Sequence, residues 1–190
     1  MGLEADDREL TARLASGDAA AWGEMYDRFG ERLYRAATRL CGRTNDAEDV
    51  VQELFVALVR ARERLRQVDQ LTAYLFTGLR RQVIDHARRR AATVEGRVPA
   101  AVGGPLSLDD AASVLTTAAS EAERRDDVRE RLDAALSRLP GEQREVVVMK
   151  LDGELTFAQI ADVLDISPNT AASRYRYALE KLKELLDGDG

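Results

Sequence analysis

Apolar residues recur at three- and four-residue steps over most of this chain, the spacing that lines one face of a helix. Trp22, Met25, Tyr26, Phe29, Leu33, Tyr34, Ala37 and Leu40 form the first such stripe. Gly42 follows and suits a helix C-terminal cap. Asn45 predicts the N-cap of the next helix, with Asp46, Glu48 and Asp49 in its positive first turn. That helix turns Val50, Val51, Leu54, Phe55 and Leu58 inward. Another follows Gln70, with Leu71, Tyr74, Leu75, Leu79, Val83 and Ile84 inward, and ends in Arg88, Arg89 and Arg90. Gly78 in its middle costs about 1 kcal/mol relative to alanine, and nothing in the sequence accounts for it.

The second half is also helical. Val128, Leu132, Ala135, Leu136 and Leu139 make a stripe stopped by Pro140 and Gly141. A helix over 142–151 carries Val146, Val147 and Met149. Thr156 predicts the cap of a short helix with Phe157, Ile160, Ala161 and Leu164 inward. Ser167 is an N-cap and Pro168 suits the first helical position of the last helix, which runs through Ala171, Tyr175, Ala178, Leu179 and Leu182. No strand pattern competes, so the fold class is all-α.

Composition divides these helices into two groups. Residues 92–105 hold two prolines and three glycines, which reads as a linker. Residues 1–90 carry a net charge of +1, residues 91–128 −4 and residues 129–190 −3. The reading is therefore a helical domain over 1–91, an acidic tether over 92–124 and a second helical domain over 125–187. A short helix inside the tether, over 109–120, is a further expectation.

The whole chain has 190 residues, 28 basic against 34 acidic, with one cysteine and one histidine. Cys41 alone forms no intrachain disulfide, and Cys41 with His86 is too little for a Cys/His zinc site. Cys41 lies in the first apolar stripe and reads as core rather than as a reactive thiol. No run approaches the roughly 18 apolar residues of a membrane span. The acidic N-terminus lacks the pattern of a signal peptide, so a cytoplasmic protein without membrane insertion is expected. No phosphate-cradling glycine loop, metal motif or nucleophile elbow is present, so no enzyme activity, cofactor, catalytic residue or metal is expected.

The short helix, tight turn and longer helix over 156–186 have helix-turn-helix spacing. With Ala171, Tyr175, Ala178 and Leu182 inward, Asn169, Ser173 and Arg176 face outward, with Ala172 and Tyr177 beside them. Asn and Arg make paired hydrogen bonds to adenine and guanine edges. Thr170 and Ser173 reach phosphate or base. Asp165 stands at the turn where glycine is usual, and Asp tolerates the left-handed conformation. Glu180 and Glu184 would repel phosphate and are expected beyond the groove. The spacing alone leaves plain helix packing open as an alternative.

Four stretches resemble bacterial RNA polymerase sigma factors of the sigma-70 family, in the extracytoplasmic-function (ECF) branch. Residues 14–34 resemble the opening of sigma region 2. Residues 46–55, DAEDVVQELF, resemble its polymerase-binding helix and are the most specific match. Residues 74–90 resemble the −10 promoter helix. Residues 136–182 resemble region 4 with its −35 reading helix, which would add Ser167 and Arg174 to the residues named above.

The resemblance implies a mechanism. Asp49, Gln52 and Glu53, with apolar contact from Leu54 or Phe55, would dock on the clamp helices of the polymerase largest subunit, acidic groups meeting a basic coiled coil. The loop over 66–71, containing Arg66 and Asp69, would form a base pocket. Tyr74, Arg80, Arg81, His86, Arg88, Arg89 and Arg90 would contact the −10 strand, held by basic and stacking groups. Tyr74 stands where the family usually has tryptophan, and Arg81 where asparagine is common. Promoter elements about 17 base pairs apart lie roughly 58 Å apart, and a tether of about 33 residues spans up to ~110 Å. Core polymerase, promoter DNA and an anti-sigma factor are the partners implied, with a monomer when free. The alternatives are a stand-alone helix-turn-helix regulator and a helical interaction protein that binds no DNA.

Overall fold

The computed structural model describes residues 2–94 and 118–187, with side chains placed for 7–92 and 127–187. The described residues are helices joined by short turns. Helix α1 spans Gly2–Ser16, α2 Ala19–Cys41, α3 Thr44–Arg60 and α4 Leu71–Val94, with a 3-10 segment over Arg62–Gln67 between the last two. After the tether come α5 Ala118–Ser137, α6 Gly141–Leu151, α7 Phe157–Leu164 and α8 Pro168–Asp187.

Local chemistry explains most boundaries. The Asp18 side chain accepts a hydrogen bond from the Ala20 amide at 2.9 Å and caps α2. Gly42 closes that helix at φ 71°, where its amide donates to the Thr38 carbonyl. The expected cap at Asn45 is not the one used. Helix α3 begins at Thr44 behind an extended Arg43 that makes no side-chain cap bond. Asp46 in its first turn is instead drawn to Arg90 and His86. Thr156 forms a full capping box with Gln159 at the start of α7. Asp165 takes φ 55° at the end of α7, the left-handed geometry expected of the turn. Ser167 Oγ accepts from the Thr170 amide at 3.0 Å and caps α8.

In the first group α2 packs on α3, α3 on α4, and α1 on the 3-10 segment. Met25, Phe29, Leu33, Val50, Leu54, Leu65, Leu75 and Leu79 are buried at its centre. Gly78 finds its reason here. A Cβ at that position would sit 2.7 Å from Leu54 Cδ1, so glycine lets α4 approach α3.

In the second group Ala135, Leu136, Leu139, Val147, Ala178 and Leu182 form a core of their own. Two residues expected inside are outside. Val128 is 63% exposed. Arg131 already faces the last turn of α8, through the Leu186 carbonyl, so Val128 lies beyond the reach of that helix. Leu179 is 45% exposed, because it falls about 70° around α8 from the arc of Ala171, Tyr175, Ala178 and Leu182.

The other faces of α6 and α7 do not go to solvent. Helix α6 packs on α2, and α7 on α4. Val146, Val148, Met149, Leu155 and Ile160 thereby join the core of the first group. The helices flanking the tether run to Val94 and start at Ala118, inside the limits expected for it. The short helix expected over 109–120 falls outside the described residues except for 118–120, which belong to α5.

Candidate partner and nucleic-acid interface

Helix α3 has two faces because its apolar residues do not all point one way. Ala47, Val50, Val51, Leu54 and Leu58 are buried. Asp49 and Gln52 lie on the outer side, and Glu53 is half-buried. Arg89 of α4 donates a hydrogen bond to Glu53, which holds the Glu53 carboxyl below its ordinary range. Asp49, Gln52, Glu53, Val56, Ala57 and Arg60 line one side of a depression of about 840 Å³ that Gln82 and Arg89 complete. Leu54, one of the two apolar candidates, is 1% exposed and packs under this face. Phe55 is half-buried and stacks at a tilt on Tyr26, centroids 5.5 Å apart.

Beside the acidic edge runs an apolar groove of about 760 Å³, lined by Trp22, Tyr26, Phe55, Val56 and Val59 among others. Tyr26, Val56 and Val59 are 60%, 48% and 46% exposed. Sequence reasoning missed this groove. The available signal was Val56 and Val59, two β-branched residues three apart and off the inward stripe of α3.

The promoter-side candidates fall along α4 and the loop before it. Arg66 and Asp69 are exposed and line a cavity of about 490 Å³ with Arg8, Thr11, Ala12 and Val68. Arg8 reaches Asp69 at 3.5 Å, both side chains being well exposed. Tyr74 is half-buried against the core. Arg81 is exposed, whereas Arg80 pairs with Glu145 of α6 at 3.3 Å. His86 sits 3.4 Å from Asp46, and Arg90 also pairs with Asp46. Arg88 pairs weakly with Asp85 at 3.7 Å. The chain therefore gathers Arg81, Arg88, Arg89 and Arg90 on the outer part of α4, with α3 carboxylates anchoring two of them.

Helix α8 stands out from its supporting helix as the spacing required. Ser167, Asn169, Arg176 and Tyr177 are exposed, and Thr170, Ala172 and Ser173 half-exposed. The Arg176 guanidinium lies over the Tyr177 ring, 5.2 Å from its centroid. Arg174 turns away to Glu142 at 2.6 Å and ties α8 to α6. Among the described residues no group of His, Cys, Asp and Glu could hold a metal ion. No described helix is long and apolar enough to cross a membrane.

An acidic, apolar-edged helix, a basic helix beside it and a capped helix-turn-helix are the parts of a promoter-directing polymerase subunit. Comparison with known proteins agrees. The Sigma-70 region 2 model matches residues 25–93, and the Sigma-70, region 4 model matches residues 129–182. The RNA polymerase sigma factor CnrH of Cupriavidus metallidurans is 31% identical over all of this chain and 98% of its own. The ECF RNA polymerase sigma factor SigK of Mycobacterium tuberculosis is 29% identical over 97% of this chain and 96% of its own. The solved structure of CnrH in complex with the cytosolic domain of CnrY covers 97% of this chain and 99% of that one, with a TM-score of 0.66 and 28% identity. The sigma factor RpoE of Bartonella quintana, solved with the anti-sigma factor NepR, shares the fold over 88% of this chain and 98% of its own, with a TM-score of 0.69 and 21% identity. The chain belongs to the sigma-70 family of RNA polymerase sigma factors, in its ECF branch. It directs core RNA polymerase to promoters.

Proposed function

We propose that Asp49, Gln52, Glu53 and Phe55 form the polymerase-docking edge, with the groove of Tyr26, Val56 and Val59 as its apolar half. The observation that carries this is the pairing of an acidic edge with an unfilled apolar groove on one helix face. Acidic groups steer encounter with a basic partner, and buried aromatic contact then holds it. Leu54 serves from beneath, by fixing the face to the core.

Arg66, Asp69 and Tyr74 would receive the −10 strand, with Arg80, Arg81, His86 and Arg88 to Arg90 as its basic track. Asn169, Ser173 and Arg176 would read −35 bases, with Ser167, Thr170, Ala172, Arg174 and Tyr177 around them. Regions 1–91 and 125–187 act as the two reading units. The protein performs no catalysis of its own and works in the cytoplasm. CnrH is held by the cytosolic domain of CnrY, which supports an anti-sigma factor as a partner here too.

Binding of labelled full-length protein to core polymerase tests the docking edge. Asp49→Arg should weaken binding at least tenfold, because it reverses charge at an exposed position, while Glu63→Arg, exposed on the neighbouring 3-10 segment, should not. Equal affinity for the two variants would refute the assignment.

A further inference from the structure

The contact between the two helical groups has a polar centre. Asp152, at the turn after α6, is 3% exposed. Three arginines at steps of three and four along α2 converge on it. Arg39 Nη1 donates to both carboxylate oxygens at 2.8 Å, and Arg35 Nε approaches one of them at 3.4 Å. Arg32 donates from Nε to the Asp152 carbonyl at 2.8 Å and from Nη2 to the Gly153 carbonyl at 2.9 Å. Arg39 also donates from Nε to Asp133 of α5 at 2.8 Å. Every acceptor of this set lies in the second group and every donor in the first.

Around that centre the surfaces fit closely. A Cβ on Gly153 would meet the Met149 carbonyl at 2.5 Å and Phe76 at 3.2 Å, so only glycine lets the turn seat on α4. Gln159 Nε2 donates to Gln70 Oε1 at 2.9 Å, in the loop assigned to the −10 base pocket. Glu145 holds Arg80. The closed form thus covers part of the −10 track, while Asn169 and Arg176 of α8 stay exposed.

We infer that this arrangement is a self-contained off state, latched by Asp152 on Arg32, Arg35 and Arg39. Core polymerase must break the latch before Gln70 and Arg80 can meet DNA. The inference rests on the promoter-reading roles proposed above. A carboxylate buried in an interface tolerates loss of its cation badly, whereas replacing both partners by apolar side chains is often neutral. Single and double variants therefore have opposite expectations.

The test uses the full chain with Cys41→Ser, carrying spin labels at Glu63→Cys and Glu180→Cys, both exposed and outside the contact. Pulsed dipolar spectroscopy should give one narrow distance for the natural latch. Arg39→Met should give a longer, broad distribution, and Arg39→Met with Asp152→Leu should restore the narrow one. In run-off transcription with core polymerase, Arg39→Met should reach half-maximal output at about tenfold lower concentration, the closed population having taxed the apparent affinity. A broad distribution in the natural chain, or an unchanged one in Arg39→Met, overturns the latch. Opening with no gain in transcription overturns its inhibitory role. Absence of transcripts from every form, with distances still responding to Arg39, overturns both that role and the promoter-reading assignments.

Discussion

The contact between Gly78 and Leu54 gives a prediction whose sign depends on one methyl group. Gly78→Ala removes the helix penalty of glycine, worth about 1 kcal/mol in the middle of α4. It also places a Cβ 2.7 Å from Leu54 Cδ1, well inside van der Waals contact. Leu54 is 1% exposed and enclosed by the core, so its side chain cannot swing clear. Overpacking of this kind costs about 1–3 kcal/mol. The net effect is a loss of about 0–2 kcal/mol, or up to ~8 °C in Tm for a chain of this size. In a Leu54→Val background the opposing methyl is gone, and Gly78→Ala should then stabilise by about 1 kcal/mol. Urea unfolding of the four proteins gives the cycle directly, with an expected coupling of about 1–3 kcal/mol. If Gly78→Ala stabilised the natural chain as much as it stabilised Leu54→Val, the close approach of α3 and α4 would be refuted.

Three further outcomes follow from local geometry. Arg89→Ala should raise the Glu53 carboxyl toward its model value of 4.5, since the hydrogen bond from Arg89 is the main cause of its depression. The contribution of that pair is present above the unfolded value and lost as pH falls through the folded one, so an NMR titration showing no upward movement would count against it. Burial pushes the Cys41 thiol up to about 11, with Asp46 adding to the effect; its reaction with a disulfide reagent at pH 8 should be far slower than that of unfolded chain. Arg176→Ala should cost about 1–3 kcal/mol of discrimination at a single −35 base pair, read as a selective loss in competition with promoter point variants, whereas a uniform loss over all sequences would mark Arg176 as a phosphate contact.

What the sequence made legible was local. Thr156 with Gln159, Asp165 and Ser167 predict the helix-turn-helix because each acts on backbone within three residues of itself. The inward stripes of α2 and α3 are set by the same periodicity. Asn45 misled, because Asp46 answers to Arg90 and His86 on α4 rather than to the ideal start of its own helix. Gly78 had no meaning until Leu54 was placed opposite it. Arg32, Arg35 and Arg39 read as an ordinary solvated face, and nothing near them in sequence announced Asp152, more than a hundred positions away. The motif in α3 marked Asp49, Gln52 and Glu53, but a motif read as a string placed Leu54 beside them, and burial separates it from that edge. The exposed groove of Tyr26, Val56 and Val59 needed α2 beside α3 to exist at all.

Run-off transcription on a pool of genomic upstream regions, with core RNA polymerase alone, with this protein, and with its Asp49→Arg variant, tests the central claim most directly. The account predicts promoter-specific transcripts that require the protein and disappear with Asp49→Arg, while circular dichroism shows the variant folded. Transcripts of equal strength from the variant, or none from the natural protein alongside tight duplex binding in the absence of polymerase, would contradict it.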